Sequence, residues 1–238
     1  MKLYPAIDLK DGKCVRLLQG DYNEVTVYAD HPAQMAKKWE SLGGEYLHLV
    51  DLDGAKEGKG INDQAIREIV EAIKIPVELG GGIRSLEDIK KKLDMGVARV
   101  ILGSAAVKNK NLVKEAIETF GPSKIVIGVD AKNGMVAIEG WLEVTSLSAL
   151  EFCRELKEVG VTTIIYTDIA KDGMMQGPNI LETSKLIKET GLDIIASGGV
   201  SSIEDLKQVA SIGAHGAIIG KALYIGAIDL KEALALFK

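Results

Sequence analysis

The chain has 238 residues, of which 47% are hydrophobic, 5% aromatic and 26% charged, and 29 Lys and Arg against 34 Asp and Glu give a formal net charge of −5. Charges of both signs are interspersed with no block of either, which argues against a nucleic-acid footprint or a polybasic membrane surface and leaves a small molecule as the expected partner. A single α/β barrel of roughly 250 residues is as reasonable an expectation at this length as two small domains.

Residues 1–8 (MKLYPAID) run directly into a strand-like stretch and lack the basic head and apolar middle of a signal peptide. No apolar run approaches the roughly 18 residues of a membrane span. Cys14 and Cys153 lie far apart with no Cys-x-x-Cys pair, and three scattered histidines make no metal pattern. These features predict a cytoplasmic protein in a reducing compartment, with no structural metal.

In chain order, apolar runs at 3–8 (LYPAID), 46–51 (YLHLVD), 76–80 (PVELG), 99–103 (RVILG), 124–130 (KIVIGVD), 162–168 (TTIIYTD), 193–198 (DIIASG) and 216–220 (GAIIG) predict strands. They lack the alternation of a half-exposed strand, so both faces are covered, as in a parallel sheet. Between them apolar residues recur three and four apart, for example over 33–42, 62–73, 112–118 and 146–156, which predicts intervening helices. Ser85 with Asp88, and Ser202 with Asp205, read as helix N-caps with an acidic partner three residues on.

An internal repeat decides between an open sheet and a closed barrel. Residues 81–88 (GGIRSLED) return at 198–205 (GGVSSIED), and the same offset of 117 carries Asp51 onto Asp168, Gly60 onto Gly177, Asn62 onto Asn179, Gly96 onto Gly213 and Gly103 onto Gly220. Upstream, 6–12 (AIDLKDG) matches 128–134 (GVDAKNG). Two four-strand halves, about 1–121 and 122–238, would each expose parallel edges alone and close naturally into one domain spanning 1–238, a TIM (β/α)8 barrel with an internal half-barrel duplication.

Active sites of this fold lie at the C-terminal ends of the strands. That rim collects Asp8, Asp51, Gly80 to Arg84, Gly103, Ser104, Asp130, Thr167, Asp168, Gly198, Gly199, Gly220 and Lys221. Glycine-rich loops leading into helices offer bare N–H groups to phosphate. Two such sites, with Gly82, Arg84, Gly103 and Ser104 on one side and Gly199, Gly220 and Lys221 on the other, imply a bisphosphate ligand. The plainer alternative is that the glycines only permit tight turns, which a duplication would copy regardless.

Asp8 and Asp130 end equivalent strands on opposite sides of the barrel, where two facing carboxylates can serve as acid and base. A turn or capping role is the alternative for each. Asp51 and Asp168 are equally symmetric and read as structural. Arg16 fits either a ligand anion or a solvated surface. Trp141, on a glycine-flanked excursion over 133–143, suits a loop that folds over a ring-bearing ligand. Trp39 reads as core, and His31, His48 and His215 receive no role.

The motifs AIDL (6–9), VRLLQG (15–20), VDLDGA (50–55), GGGIR (80–84), GSAAV (103–107), GVD (128–130), GWL (140–142), TDIAKDGM (167–174) and SGGVSS (197–202) together resemble the phosphoribosylformimino-aminoimidazole carboxamide ribotide isomerases of histidine biosynthesis. The resemblance spans the whole chain. It implies an Amadori rearrangement of an aminoaldose to an aminoketose with Asp8 as proton acceptor and Asp130 as proton donor. It also implies Thr167 orienting the substrate, Gly82, Ser104, Gly199, Gly220 and Lys221 docking two phosphates, Trp141 on a closing loop, and no cofactor. The related cyclase begins with Cys-Leu-Asp and shows Ile-Asn-Thr after the fourth strand, whereas this chain reads AID at 6–8 and LGS at 102–104. An isomerase that also takes phosphoribosylanthranilate, and a non-catalytic phosphosugar-binding barrel, remain open on the residues. A closed barrel with no unpartnered stripe predicts a monomer.

Overall fold

Strands apolar on both faces need cover on both, and the chain supplies it by following each with a helix. The computed structural model describes residues 1–237, so Lys238, the last residue of the expected domain, lies outside the described residues. Eight parallel strands run in order β1 (Lys2–Lys10), β2 (Leu47–Asp51), β3 (Val77–Gly80), β4 (Arg99–Leu102), β5 (Ile125–Lys132), β6 (Thr163–Asp168), β7 (Asp193–Ser197) and β8 (Gly216–Ile219). Each pairs with the next, and β8 pairs with β1 through Lys2↔Gly216 to Pro5↔Ile219, so the sheet is closed. This is the expected TIM barrel.

The surrounding helices are α1 (Pro32–Ser41), α2 (Asp63–Ala72), α3 (Leu86–Asp94), α4 (Lys110–Phe120), α5 (Ala149–Glu158), α6 (Ile180–Thr190), α7 (Ile203–Ser211) and α8 (Leu230–Ala235). None of the described helices is long and apolar enough to cross a membrane. Their inner faces and the outward faces of the strands form the larger core, which includes Trp39, Ile66, Val113, Phe152 and Leu206. A second cluster of Tyr4, Ala6, Ile101, Val126, Ile165, Ile195 and Ile218 fills the barrel interior.

The duplication is visible in the backbone. Ser85 and Ser202 cap α3 and α7 by accepting from the N–H groups of Asp88 and Asp205, and the second is a full capping box. Gly103 and Gly220 adopt nearly the same dihedrals, φ −100, ψ −110 and φ −102, ψ −106, a combination that L side chains avoid. After β1 and after β5 the chain turns through two residues of positive φ, Asp11–Gly12 and Asn133–Gly134. Both are hairpin turns whose twist suits the strands they join.

Those turns open the two excursions expected after the first and fifth strands, and both prove to be β-hairpins, which the apolar pattern did not reveal. Lys13–Leu18 and Asp21–Ala29 form a hairpin on β1, and Met135–Ile138 and Glu143–Ser148 form one on β5. Ser146 to Ser148 therefore belong to a strand and not to the start of a helix. The Ser148 side chain accepts from the Glu151 N–H, so it acts as the N-cap of α5.

Candidate functional site

The C-terminal ends of the strands surround one pocket, lined from Gly82, Arg84, Gly103 and Ser104 on one side to Gly199, Gly220 and Lys221 on the other, with Asp8, Arg16, Asp130, Trp141 and Thr167 between. Every residue singled out as a candidate from the sequence lies on this lining. Loop geometry accounts for part of the glycine content. Gly82 and Gly199 have φ 72 and φ 86, and a Cβ on either would collide with the backbone oxygen of Gly54 or Gly177. A Cβ on Gly103, by contrast, would meet nothing within 4 Å.

Asp8 and Asp130 occupy different surroundings. The Arg16 guanidinium donates to Asp8 at 2.8 Å and reaches Asp172 at 3.6 Å, with all three side chains 13–16% exposed. Arg16 is thus neither solvated nor a free anion receptor: it bridges two carboxylates, and its Nε has no hydrogen-bond partner. Asp130 instead accepts from the Trp141 indole N–H at 2.8 Å and from the hydroxyl of Thr167, its register partner on β6. Burial holds the Asp130 carboxyl above the usual carboxylate range, opposed by those two hydrogen bonds and by nearby His48. Burial raises Asp172 likewise, against the pull of Arg16.

Three excursions meet over the pocket. Gly20, at the tip of the first hairpin, lies so close to the Trp141 ring that a Cβ would overlap it. Gln19 Nε2 donates to the Ala170 carbonyl at 3.2 Å, and Lys221 Nζ donates to the Gly173 carbonyl at 3.1 Å. Glu139, Gly140 and Trp141 have consecutive positive φ of 55, 63 and 73, and the Glu139 N–H donates to Ser104 Oγ at 3.0 Å. The Trp141 segment is therefore a shaped cover hydrogen-bonded to the rim.

Asp51 and Asp168 are structural, as expected. Asp51 is fully buried and accepts from the N–H groups of Gly54, Ile61 and Asn62 and from Asn62 Nδ2. Asp168 accepts from Ala170 N–H and Asn179 Nδ2. Among the described residues no cluster of three or more His, Cys, Asp or Glu side chains is placed to hold a metal ion.

Three pocket side chains able to hydrogen-bond, Tyr22, His48 and Asp172, received no role in the sequence reading. Asp172 falls four residues past the end of β6, in TDIAKDG, and its repeat counterpart is Ala55, so strand-end position and symmetry both pass over it. His48 and Glu78 did carry a usable signal, because a charged residue inside an apolar parallel strand demands a buried partner.

Comparison with known proteins adds the lineage. Residues 2–229 match the family model described as histidine biosynthesis protein. A protein of Lachnoclostridium phytofermentans is 56% identical over 238 residues, covering all of both chains. One of Bacillus subtilis is 54% identical over 239 residues, covering 99% of this chain and 97% of its own. Both are named 1-(5-phosphoribosyl)-5-((5-phosphoribosylamino)methylideneamino) imidazole-4-carboxamide isomerase, as is a Thermoanaerobacter pseudethanolicus protein 51% identical over the full length of both. With a closed barrel, a single rim pocket and a family match along nearly its whole length, this chain belongs to the histidine biosynthesis protein family.

Proposed function

We infer that the chain is the isomerase of histidine biosynthesis that converts the phosphoribosylformimino aminoimidazole carboxamide ribotide aminoaldose to its phosphoribulosyl aminoketose, an intramolecular oxidoreduction. The observation that carries this reading is the pair of carboxylates, Asp8 and Asp130, at the mouth of one pocket in unlike surroundings. An Amadori rearrangement needs one group that gives a proton and one that takes one.

Asp130, whose carboxyl is raised by burial, protonates the ribose ring oxygen. The C1–O bond breaks, the ring opens, and the nitrogen lone pair forms an iminium at C1. Asp8, oriented by the hydrogen bond it accepts from Arg16, then removes the proton from C2. The C2–H electrons move toward the iminium and leave an enolamine. Protonation at C1 and loss of the C2 hydroxyl proton give the ketone. C1 is reduced and C2 oxidised, and the electron balance closes within the substrate. Thr167 holds the Asp130 carboxyl, and Trp141 covers the reacting sugar and excludes water.

The phosphates dock on the two glycine-lined ends of the pocket, one at Gly82, Arg84, Gly103 and Ser104 and the other at Gly199, Gly220 and Lys221. On this reading the chain is a cytoplasmic monomer. In support, Cys14 and Cys153 are free and buried, which pushes both thiols up to about 12, and the barrel strands leave no unpaired edge. The test is a steady-state assay of the purified protein on the aminoaldose, with phosphoribosylanthranilate in parallel. Turnover of the first alone is the expected result, and turnover of neither overturns the reading.

A further inference from the structure

Below the rim, the pocket continues into the barrel because Gly80 and Gly128 contribute no side chain to its wall. Its floor there is Ala6, Ile101, Ile165, Ile218 and His48. Four of these are apolar and the fifth is an imidazole, and nothing in the chemistry described above uses it.

The ring is held from beneath. His48 Nδ1 lies 2.7 Å from Oε1 of Glu78, which is fully buried. The other carboxylate oxygen of Glu78 accepts from Arg99 Nε at 2.9 Å and Nη2 at 2.6 Å. Arg99 in turn lies over the rings of Tyr4 and Tyr46, 5.7 and 4.9 Å from their centroids. A carboxylate engaged by Arg99 can only accept, so Nδ1 is the nitrogen that carries hydrogen towards it. That leaves Nε2 as the polar atom the ring can offer to the pocket.

The fold does not need this network. At the repeat offset of 117, His48, Glu78 and Arg99 correspond to Ile165, Ile195 and Gly216, so the second half fills the same barrel positions without a charge. Buried ionic groups are generally no more stabilising than well-packed apolar ones. A costly arrangement retained in one half only, with one polar atom left over at a ligand pocket, is better explained by the ligand than by stability.

Register places it. Ala6 pairs with His48 on adjacent strands, and Asp8 lies two residues further along β1, so His48 sits one side-chain layer below Asp8. We propose that His48 is a substrate-binding residue of the isomerisation site, its Nε2 hydrogen-bonding a hydroxyl of the sugar that Asp8 deprotonates, with Glu78 and Arg99 as the positioning residues that hold the ring. This inference rests on the isomerase reading above.

Two substitutions separate binding from structure. The amide of His48→Asn can donate to Glu78 in place of Nδ1 but presents nothing where Nε2 stands, whereas the longer His48→Gln returns a polar atom there. Loss of one hydrogen bond to a buried ligand group lowers kcat/KM roughly ten- to a hundredfold. That is the expected result for His48→Asn on the aminoaldose, with a melting temperature close to wild type and partial recovery in His48→Gln. Glu78→Gln, which loosens the ring without removing it, is expected to lower kcat/KM less than His48→Asn. Wild-type kcat/KM in His48→Asn overturns the inference alone, as does a loss that follows the melting temperature in both His48 variants. Absence of turnover in the wild-type protein, run in parallel, overturns the isomerase reading and this inference with it.

Discussion

The two halves of the barrel share their backbone and differ in what they point inward. Hairpin turns, N-capping serines and the unusual glycine dihedrals recur at Gly103 and Gly220 and around them. These are features that a loop must keep in order to turn at all. Side chains on the inner wall had no such obligation. The first half carries His48, Glu78 and Arg99 where the second carries Ile165, Ile195 and Gly216, and Ser104 faces Lys221 across the repeat. Even the matched carboxylates diverge, since Asp8 is bound by a guanidinium and Asp130 by an indole and a hydroxyl. Duplication thus left two carboxylates at equivalent positions in unlike surroundings, and on the proposed mechanism one accepts a proton and the other donates one.

The largest effects are expected where that division is removed. Asp8→Asn and Asp130→Asn should each lower kcat by about 10²- to 10⁴-fold, the usual span for an acid or base, with the fold retained by circular dichroism. Near wild-type turnover in either variant would remove that residue from the mechanism and leave the two carboxylates without complementary roles.

Next comes the charged network of the first half. Glu78→Ile installs the side chain of its counterpart, Ile195, but strands the Arg99 guanidinium without its carboxylate. Breaking a buried pair from one side costs about 3–5 kcal/mol. Adding Arg99→Met should restore much of that, because an apolar replacement of both partners resembles what the second half already does. Denaturant unfolding of the single and double variants measures both. A double variant no more stable than the single one would mean that the two interiors are not interchangeable solutions.

A finer contrast lies in the carboxylate hubs behind the rim. Asp51 accepts four hydrogen bonds and Asp168 two. At about 1 kcal/mol for each bond lost, Asp51→Ala should destabilise by about 3–4 kcal/mol and Asp168→Ala by about 2. Equal losses in chemical denaturation would show that hydrogen-bond number is not what distinguishes them.

Much of this was legible before folding was considered, for a physical reason. A strand covered on both faces writes a continuous apolar run, so 46–51 and 162–168 mark β2 and β6 to within one residue at their starts. Rim carboxylates were readable because they end those runs. Two of the hairpin strands were not, because they lie on the exposed side of their hairpins: Asp21–Ala29 and Glu143–Ser148 have no buried residue and read as mixed polar sequence. His48 was missed because its partner Glu78 is 30 residues away and becomes a neighbour only when adjacent parallel strands align. Asp172 was missed because its loop is placed by Arg16, on a different excursion.

The smallest effect bears on how Asp130 is held ready to donate. Burial raises its carboxyl in the folded chain above the unfolded value of about 3.9, so the folded state binds the proton more tightly than the unfolded state does. Below that unfolded value both states are protonated and Asp130 costs nothing. Between the unfolded and folded values the unfolded chain releases this proton while the folded chain keeps it, so stability falls as pH rises, and the deficit remains at higher pH. Asn at this position does not titrate, can accept from the Trp141 indole through its carbonyl, and can meet the Thr167 hydroxyl through its amide. Asp130→Asn should therefore melt with wild type near pH 4 and a few degrees above it at pH 7, at the same time as it loses turnover. Melting curves of the two proteins across that range are the measurement. A gap that narrows with rising pH would mean that Asp130 is stabilised as the anion, and the donor role would have to pass to the other pocket carboxyl that burial raises, Asp172.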